Sequence, residues 1–493
     1  MTSLKTNFLS NLLGSSITAI IQIVIMPVYL HYLGPDGFGL IGVFATLAGI
    51  TLIFDMGLTP ALTREIAGQT ATDEGKKQVR TTLRTLEVIY IGFAIFCFIP
   101  AFFSIPLLAT SWLKIQQLPI KLVEQSLQLM AVQLFFQLPI SFYTGGFIGL
   151  QRQPLMNVIN TSMSALRFIG AIPFLIDKNQ TILVFFSWHA LITALHLLII
   201  ACVLWRIFPS GKTRFDFAVF HRTKKYACDM LGVTIVSLLL TSLDKIVLSR
   251  ILPLEEFGFY MLAWSMVSVL TRPAGLVMNA WLPKMIQQFT LGDVVSLTHT
   301  YLIGSRLVAC LVMPFAAMLV FFPSDILFIY IGNHNYPHAL PYVLIMLSIG
   351  AACNALMHIP YALTLAAGWP KFALYQNMLA CLILLPLSIV SVLSYGLVAG
   401  GFAWLMVNVG YILFSVFAIH RKVLIGVARR WYAISLLPEL VVILISIFPP
   451  FLFYQWGYFP SSRYGLGLTL AGVSFLVVGA SWLFGYRYMN SNG

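Results

Sequence analysis

The stretch from Asp244 to Ala263, D-K-I-V-L-S-R-I-L-P-L-E-E-F-G-F-Y-M-L-A, is a short polar hinge between two long apolar runs, and it has an echo near the N-terminus. Sliding the chain by 219 residues lays Leu33, Phe38 and Gly39 of Y-L-G-P-D-G-F-G-L onto Leu252, Phe257 and Gly258. Each hinge is entered from, and left into, an apolar run of about 20 residues, the length that crosses a hydrocarbon core. A chain with this repeat is expected to fold as two like halves, each opening with the same helix–hinge–helix unit.

The remaining residues admit no soluble fold. Charged residues make up 9% of the chain and the mean hydropathy is +0.90, whereas a soluble domain carries roughly 25% charged residues. A β-barrel is excluded, because barrel strands are about 10 residues long and alternate in polarity, and these runs are apolar all round. The expectation is an all-α polytopic membrane protein with fourteen spans, near 10–32, 38–60, 84–108, 126–149, 156–176, 181–204, 229–251, 257–282, 300–322, 340–366, 372–394, 398–419, 433–455 and 464–486. The repeat groups them into a six-helix bundle over 1–204, a basic linker over 205–228, a second six-helix bundle over 229–419, and two extra helices over 433–486. The six cysteines are scattered with no C-x-x-C spacing and read as small buried hydrophobes. The first apolar run is too long for a cleaved signal peptide and is taken as the first span.

Loop charge sets the expected orientation. With the N-terminus inside, most of the 29 lysines and arginines fall on the cytoplasmic side, in clusters such as Lys76–Lys77–Arg80–Arg84, Arg206 to Lys225 with Arg214 and Arg222, and Arg421 to Arg430. Arg306 is counted with them, as are Lys5 and Arg487 near the termini. Only Lys114, Lys121, Lys178, Arg250 and Arg463 fall outside. This is the positive-inside bias, and it places both termini in the cytoplasm. It also explains the net charge of +13 as a record of topology and of anionic lipid rather than of nucleic-acid binding. No connection is long enough for a soluble catalytic domain. No Walker motif, H-E-x-x-H or nucleophile–base pair is present, so neither an enzyme nor a cofactor is expected. The inner segment Leu62–Thr82 reads as an interfacial helix, and Ser324–Ala339 as a polar outer loop.

A charge in the hydrocarbon costs about 2.5–3.5 kcal/mol on insertion scales, so the few that lie there select themselves. Arg167 is deep in the fifth span and Arg272 deep in the eighth. Each is either a cation lining a wet cavity for an anionic substrate, or an arginine bonded to an interhelical carboxylate or to backbone carbonyls. Pro273 beside Arg272 is expected to kink its helix and free a carbonyl. Asp244 and Lys245, adjacent on a helix, are expected to point about 100° apart and not to pair. Lys245 then either snorkels outward or faces the cavity. Asp55 either pairs with Arg64 or titrates as an ion-coupling carboxylate. His189 and His196 share one face of the sixth span, and with no third ligand they read as satisfied polar groups rather than a metal site. Asn7, Asn11, Ser15, Ser16, Thr18 and Gln22 form a polar face on the first span, suited either to sugar hydroxyls or to helix packing through Gly14 and Ser15. Glu439, close to an inner edge, reads as structural.

These motifs carry a resemblance. The opening P-V-Y-L-H-Y-L-G-P-D-G-F-G-L from Pro27 to Leu40, D-M-G-L from Asp55 to Leu58 followed by Arg64–Glu65, and the hinge from Asp244 to Ala263 resemble the polysaccharide-transporter branch of the MOP flippase superfamily. Pro253 departs from the family, which more often has glycine there. The resemblance implies two six-helix bundles forming a V, open alternately to each side. It implies a Wzx-type flippase that moves an undecaprenyl-diphosphate-linked oligosaccharide from the inner to the outer leaflet of the bacterial cytoplasmic membrane, for O-antigen, lipopolysaccharide or other surface polysaccharide. It would act as a monomer, beside other polysaccharide-assembly proteins. Arg167, Arg272 and Lys245 would then be cations for the diphosphate, and Asp55, Asp244, Asn11 and Gln22 polar cavity or ion-coupling groups. The alternatives are a cation-coupled multidrug antiporter of the same superfamily, which would favour carboxylates in the cavity, and a membrane-embedded glycan polymerase, which would need a large outer loop.

Overall fold

The computed structural model describes residues 4–55, 57–70, 73–116, 118–176, 182–208 and 213–491. Among them there is no strand, only an isolated bridge between Lys114 and Pro253. Twelve helical stretches are long and apolar enough to cross a membrane. The first, Ser10–Asp55, is long enough for two spans, and the helix Phe217–Ile251 holds the expected seventh. Each of the fourteen expected spans therefore overlaps helix, although the second crosses the turn at Leu52–Asp55 and the eighth the turn at Val269–Thr271.

The chain divides into two compact units, Met1–Gly258 and Phe259–Gly493. In the first unit, α1 (Leu4–Thr51) bends at Gly34, whose φ of 71° suits glycine, with Pro35 next. A tight turn at Leu52–Asp55 and left-handed Gly57 separate it from α2 (Leu58–Gln69). Then follow α3 (Asp73–Phe103), α4 (Ile120–Gly149), α5 (Gln153–Ile169), α6 (Ile182–Ile207) and α7 (Phe217–Ile251). Helix α4 is the centre of the unit, packed by α2, α3 and α6. The apolar faces of these four helices meet in a core that includes Leu62, Ile66, Leu86, Phe142, Phe147 and Leu204. The inner segment 62–82 is thus not one interfacial helix. It is the buried-faced end of α2 and the start of α3, which runs on into the third span.

The 205–228 stretch also differs from an open linker, since from Phe217 it is helical and continuous with the seventh span. The Asp216 carboxylate caps this helix by accepting from the Ala218 amide at 2.9 Å. The Asp216 amide in turn donates to Thr85 Oγ1 at 2.9 Å, which ties the helix start to α3.

The two hinges meet within this unit. A Cβ on Gly39 would lie 2.2 Å from the Leu254 carbonyl oxygen, and one on Gly258 would lie 2.6 Å from the Pro35 oxygen and 2.8 Å from the Gly39 nitrogen. The glycines that the repeat superposes are therefore the points where two backbones touch, which is what small residues permit between membrane helices. The Leu254 amide donates to the Lys114 carbonyl at 3.1 Å, fixing the segment after α3 to the second hinge.

Helix α8 (Leu254–Ser268) begins in the first unit and belongs to the second from Phe259; it runs into a tight turn at Val269–Thr271, and Arg272 and Pro273 open α9 (Arg272–Thr290). The expected break at Pro273 is this turn. Helix α10 (Val294–Phe321) is central, packed by α9, α11 (Leu340–Leu356), α12 (His358–Ala366), α16 (Leu437–Gln455) and α17 (Arg463–Ser491), with α13 (Pro370–Tyr395), α14 (Leu397–Gly410) and α15 (Val416–Lys422) between. Half of the expected outer loop 324–339 is helical, over Pro323–Ile331.

Candidate functional site

In the first unit, α5 places Arg167 against α6 and α1. The half-buried guanidinium donates through Nη1 to Thr193 Oγ1 at a long 3.4 Å and lies over the Phe168 ring at 5.2 Å. Its Nε is buried with no hydrogen-bond partner, and so is His189 Nε2. Around it, the Tyr29 hydroxyl donates to the Phe168 carbonyl at 2.7 Å and Trp188 Nε1 donates to the Arg167 carbonyl at 3.2 Å. His196 Nε2 lies 2.9 Å from Asn160 Oδ1. His189 packs against the Phe185 ring at 4.1 Å between centroids. His196 is thus satisfied by an amide, as expected, whereas His189 packs on an aromatic ring and keeps a buried Nε2 without a partner, which corrects the expectation for it. Among the described ion pairs none includes Arg167. A buried N–H without an acceptor costs about 1–3 kcal/mol, and an anion is the group that relieves it best.

The polar face of α1 is partly consumed by packing. Asn11 donates to Gln153 Oε1 at 2.8 Å and accepts from Asn157 Nδ2 at 2.6 Å, and a Cβ on Gly14 would touch Asn157 and Thr161. Asn11, Ser15 and Ser16 remain exposed, and Gln22 is half-buried. Asn7 lies outside the residues whose side chains are described.

Asp55 sits at the break between α1 and α2. It accepts from the Thr59 hydroxyl, from the Thr59 amide at 3.3 Å and from the Tyr90 hydroxyl at 3.2 Å. It satisfies the opening turn of α2, and no described ion pair joins it to Arg64.

Lys245 and Asp244 correct the sequence reading. They pair, with Lys245 Nζ 3.1 and 3.2 Å from the two Asp244 oxygens, and Lys245 is only 6% exposed. Adjacent helical residues point apart at Cβ, but four methylenes let the ammonium fold back. In a desolvated setting an adjacent carboxylate outweighs snorkelling. Lys245 is a buried, paired charge rather than an open cavity cation.

In the second unit, Arg272 is exposed at the first turn of α9. Arg306 was expected in a cytoplasmic loop. It is instead 1% exposed inside α10, donating to the Ile434 carbonyl at 2.8 Å and lying 4.8 Å from the Phe484 ring. Glu439, fully buried, accepts from the Ser481 hydroxyl and from Cys310 Sγ at 3.3 Å, in keeping with a structural role.

Sequence reasoning missed Glu87. It is 3% exposed and accepts from Tyr143 at 2.5 Å, Trp205 at 3.0 Å and Arg84 at 2.8 Å. A carboxylate three residues after Arg84, just inside an apolar run, was the available signal.

Residues 4–289 match the family described as polysaccharide biosynthesis protein. The chain belongs to this family. The resemblance read from the hinge motifs is borne out. The chain is also similar to a candidate O-antigen transporter of Shigella flexneri, 23% identical over 407 residues, covering 82% of this chain and 94% of that one. Its fold is shared with the lipid II flippase MurJ in an inward closed conformation, at a TM-score of 0.72 and 13% identity, covering 98% of this chain and 99% of that one. An inward-facing multidrug MATE transporter of the MOP superfamily gives 0.63 at 13% identity, covering 83% and 98%.

Proposed function

We propose that this protein is a flippase for an undecaprenyl-diphosphate-linked oligosaccharide, moving it from the inner to the outer leaflet of the bacterial cytoplasmic membrane by alternating access, with both termini in the cytoplasm. The observation that carries the reading is the Arg167 cluster, a cation deep in an apolar bundle with a buried N–H lacking an acceptor. A diphosphate that crosses low dielectric loses its hydration, and a fixed guanidinium replaces part of it. Arg272, exposed on α9, is the second cation. The exposed amide and hydroxyls of α1 offer hydrogen bonds to sugar hydroxyls. The family membership and the O-antigen relative support a glycan cargo. An organic-cation antiporter would need free carboxylates within the bundles, whereas Asp55, Glu87, Asp244 and Glu439 each have donors; Asp36, with a buried oxygen lacking a partner, lies at the first hinge.

The test is complementation of a deletion strain that makes a surface glycan. Wild type should restore the glycan, and Arg167→Ala and Arg272→Ala should accumulate lipid-linked units at matched expression. Full complementation by both variants would remove the arginines from the site. Drug efflux without glycan export would favour the antiporter.

Asp55 is the candidate coupling group. The single Tyr90 hydroxyl proton faces two acceptors, Asp55 Oδ1 at 3.2 Å and the Leu138 carbonyl at 2.9 Å. When the phenol donates to Leu138, the Asp55 contact can be kept by the carboxyl's own proton, so the pocket accommodates either protonation state. Asp55→Asn is expected to keep its melting temperature within about 2 °C and to lose the dependence of transport on an imposed pH gradient. An unchanged dependence in reconstituted vesicles would assign Asp55 to capping α2 alone.

A further inference from the structure

An apolar cleft runs along one flank of the first unit, away from the Arg167 cluster. Its deep part, about 200 Å³, lies between the second half of α1, α3 and α4, with walls from Phe54, Cys97, Phe98, Ala101, Ala131 and Phe135. A second part, about 210 Å³, shares Leu47, Ile50, Leu108 and Leu127 with the first and continues past Thr46 to Trp112, Ile246 and Ser249. The cleft therefore runs from mid-helix depth to the hinge end of the bundle. The one hydroxyl among the residues that line its deep part, Thr51, is spent on the Ala48 carbonyl at 2.8 Å, and an apolar space of this kind stays dry and takes up apolar ligands.

Its mouth is charged. Trp112 Nε1 donates to Ser249 Oγ at 3.2 Å, and the exposed Arg250 guanidinium lies 5.8 Å from the Trp112 ring and donates to the Ser111 and Trp112 carbonyls. Lys114, also exposed, is bonded through its carbonyl to the hinge. Basic residues are sparse at this end of the protein, so Arg250 against Trp112 at the cleft, with Lys114 two residues further along the chain, is not explained by the charge bias that orients the chain. Together the parts match a lipid with a multiply charged phosphate head and a long hydrocarbon chain.

We propose that this cleft is the docking site for the polyprenyl chain of the translocated lipid, with its diphosphate at Lys114 and Arg250. The inference rests on the flippase reading and adds a second subsite to it, distinct from Arg167. Because Lys114 is bonded to the Leu252–Pro253–Leu254 hinge, occupancy of the mouth bears directly on the joint where the two repeats touch.

The test is native mass spectrometry of the purified full chain with undecaprenyl diphosphate or phosphatidylglycerol as the added lipid. Wild type is expected to retain the diphosphate lipid about tenfold better than phosphatidylglycerol. Ala131→Trp and Ala101→Trp fill the cleft from α4 and α3. Blocking burial of about two methylenes lowers affinity about tenfold, so each should reduce retention by at least that factor. The double variant Lys114→Gln/Arg250→Gln, altered only at exposed positions, should lose the preference for the diphosphate. Should Ala131→Trp fail to fold, Ala101→Trp and the mouth variant carry the reading. Equal retention of both lipids by wild type, in a protein that still complements glycan export, would make the cleft a bulk-lipid site and leave the flippase reading standing. Wild-type retention in both folded tryptophan variants would also overturn the proposal. A wild type that neither complements nor binds the diphosphate lipid would overturn both.

Discussion

Arg167→Ala is expected to slow glycan export by about 10- to 150-fold while leaving the protein folded. A hydrogen bond to a charged group is worth about 1.5–3 kcal/mol, and each 1.36 kcal/mol is tenfold in rate, so the loss of one guanidinium from the path of a diphosphate falls in this range. Folding should survive, because little structure hangs on the side chain. Its bond to Thr193 is long, and Thr193 already donates to the His189 carbonyl at 2.7 Å. Trp188 bonds to the Arg167 backbone, which alanine retains. Arg167→Lys should recover part of the rate, since it keeps the charge but not the planar fork. The check is the rate at which lipid-linked units reach the outer leaflet, beside the melting temperature. Wild-type export by a folded Arg167→Ala protein would make this arginine structural.

Gly39→Val is expected to prevent stable folding. The new Cβ would lie 2.2 Å from the Leu254 oxygen and 3.0 Å from the Leu254 carbonyl carbon, so backbone rather than a flexible side chain must give way. Overpacking commonly costs about 1–3 kcal/mol, and here two chain segments must separate, which puts the cost at the top of that range or above. In detergent the melting midpoint should fall by at least roughly 5 °C, with most of the protein lost to aggregation during expression. Gly92→Ala is the control, because nothing lies within 4 Å of its added Cβ, and it should shift the midpoint by less than about 2 °C. A stable Gly39→Val protein would mean that the hinges do not touch as described.

The two glycines also mark what the sequence alone could deliver. Apolar runs of membrane-spanning length fix helices because backbone groups in lipid must bond within their own segment, so the span positions were legible. So was the repeat, and the glycines it aligned proved to be the contact points. Side-chain pairing was less so. Asp244 and Lys245 pair because a flexible stem can turn back, which helical angles do not describe. Arg306 sits near the middle of α10, and only the packing of that helix shows it to be buried. The donors around Glu87 and Asp55 come from α2, α3, α4 and α6, and no local spacing brings Tyr143, Trp205 or Tyr90 to them. Arg167 was identified from its depth alone. Its neighbours Tyr29, Trp188 and Thr193 became visible only with the bundle.

The most direct test of the central claim is translocation by the purified full chain in proteoliposomes, using an undecaprenyl-diphosphate-linked oligosaccharide placed in the inner leaflet and a glycan-modifying enzyme outside. The oligosaccharide is expected to become accessible at a rate proportional to the protein present, and more slowly with Arg167→Ala. Accessibility no faster than in protein-free vesicles, with an organic cation moved instead, would contradict the claim.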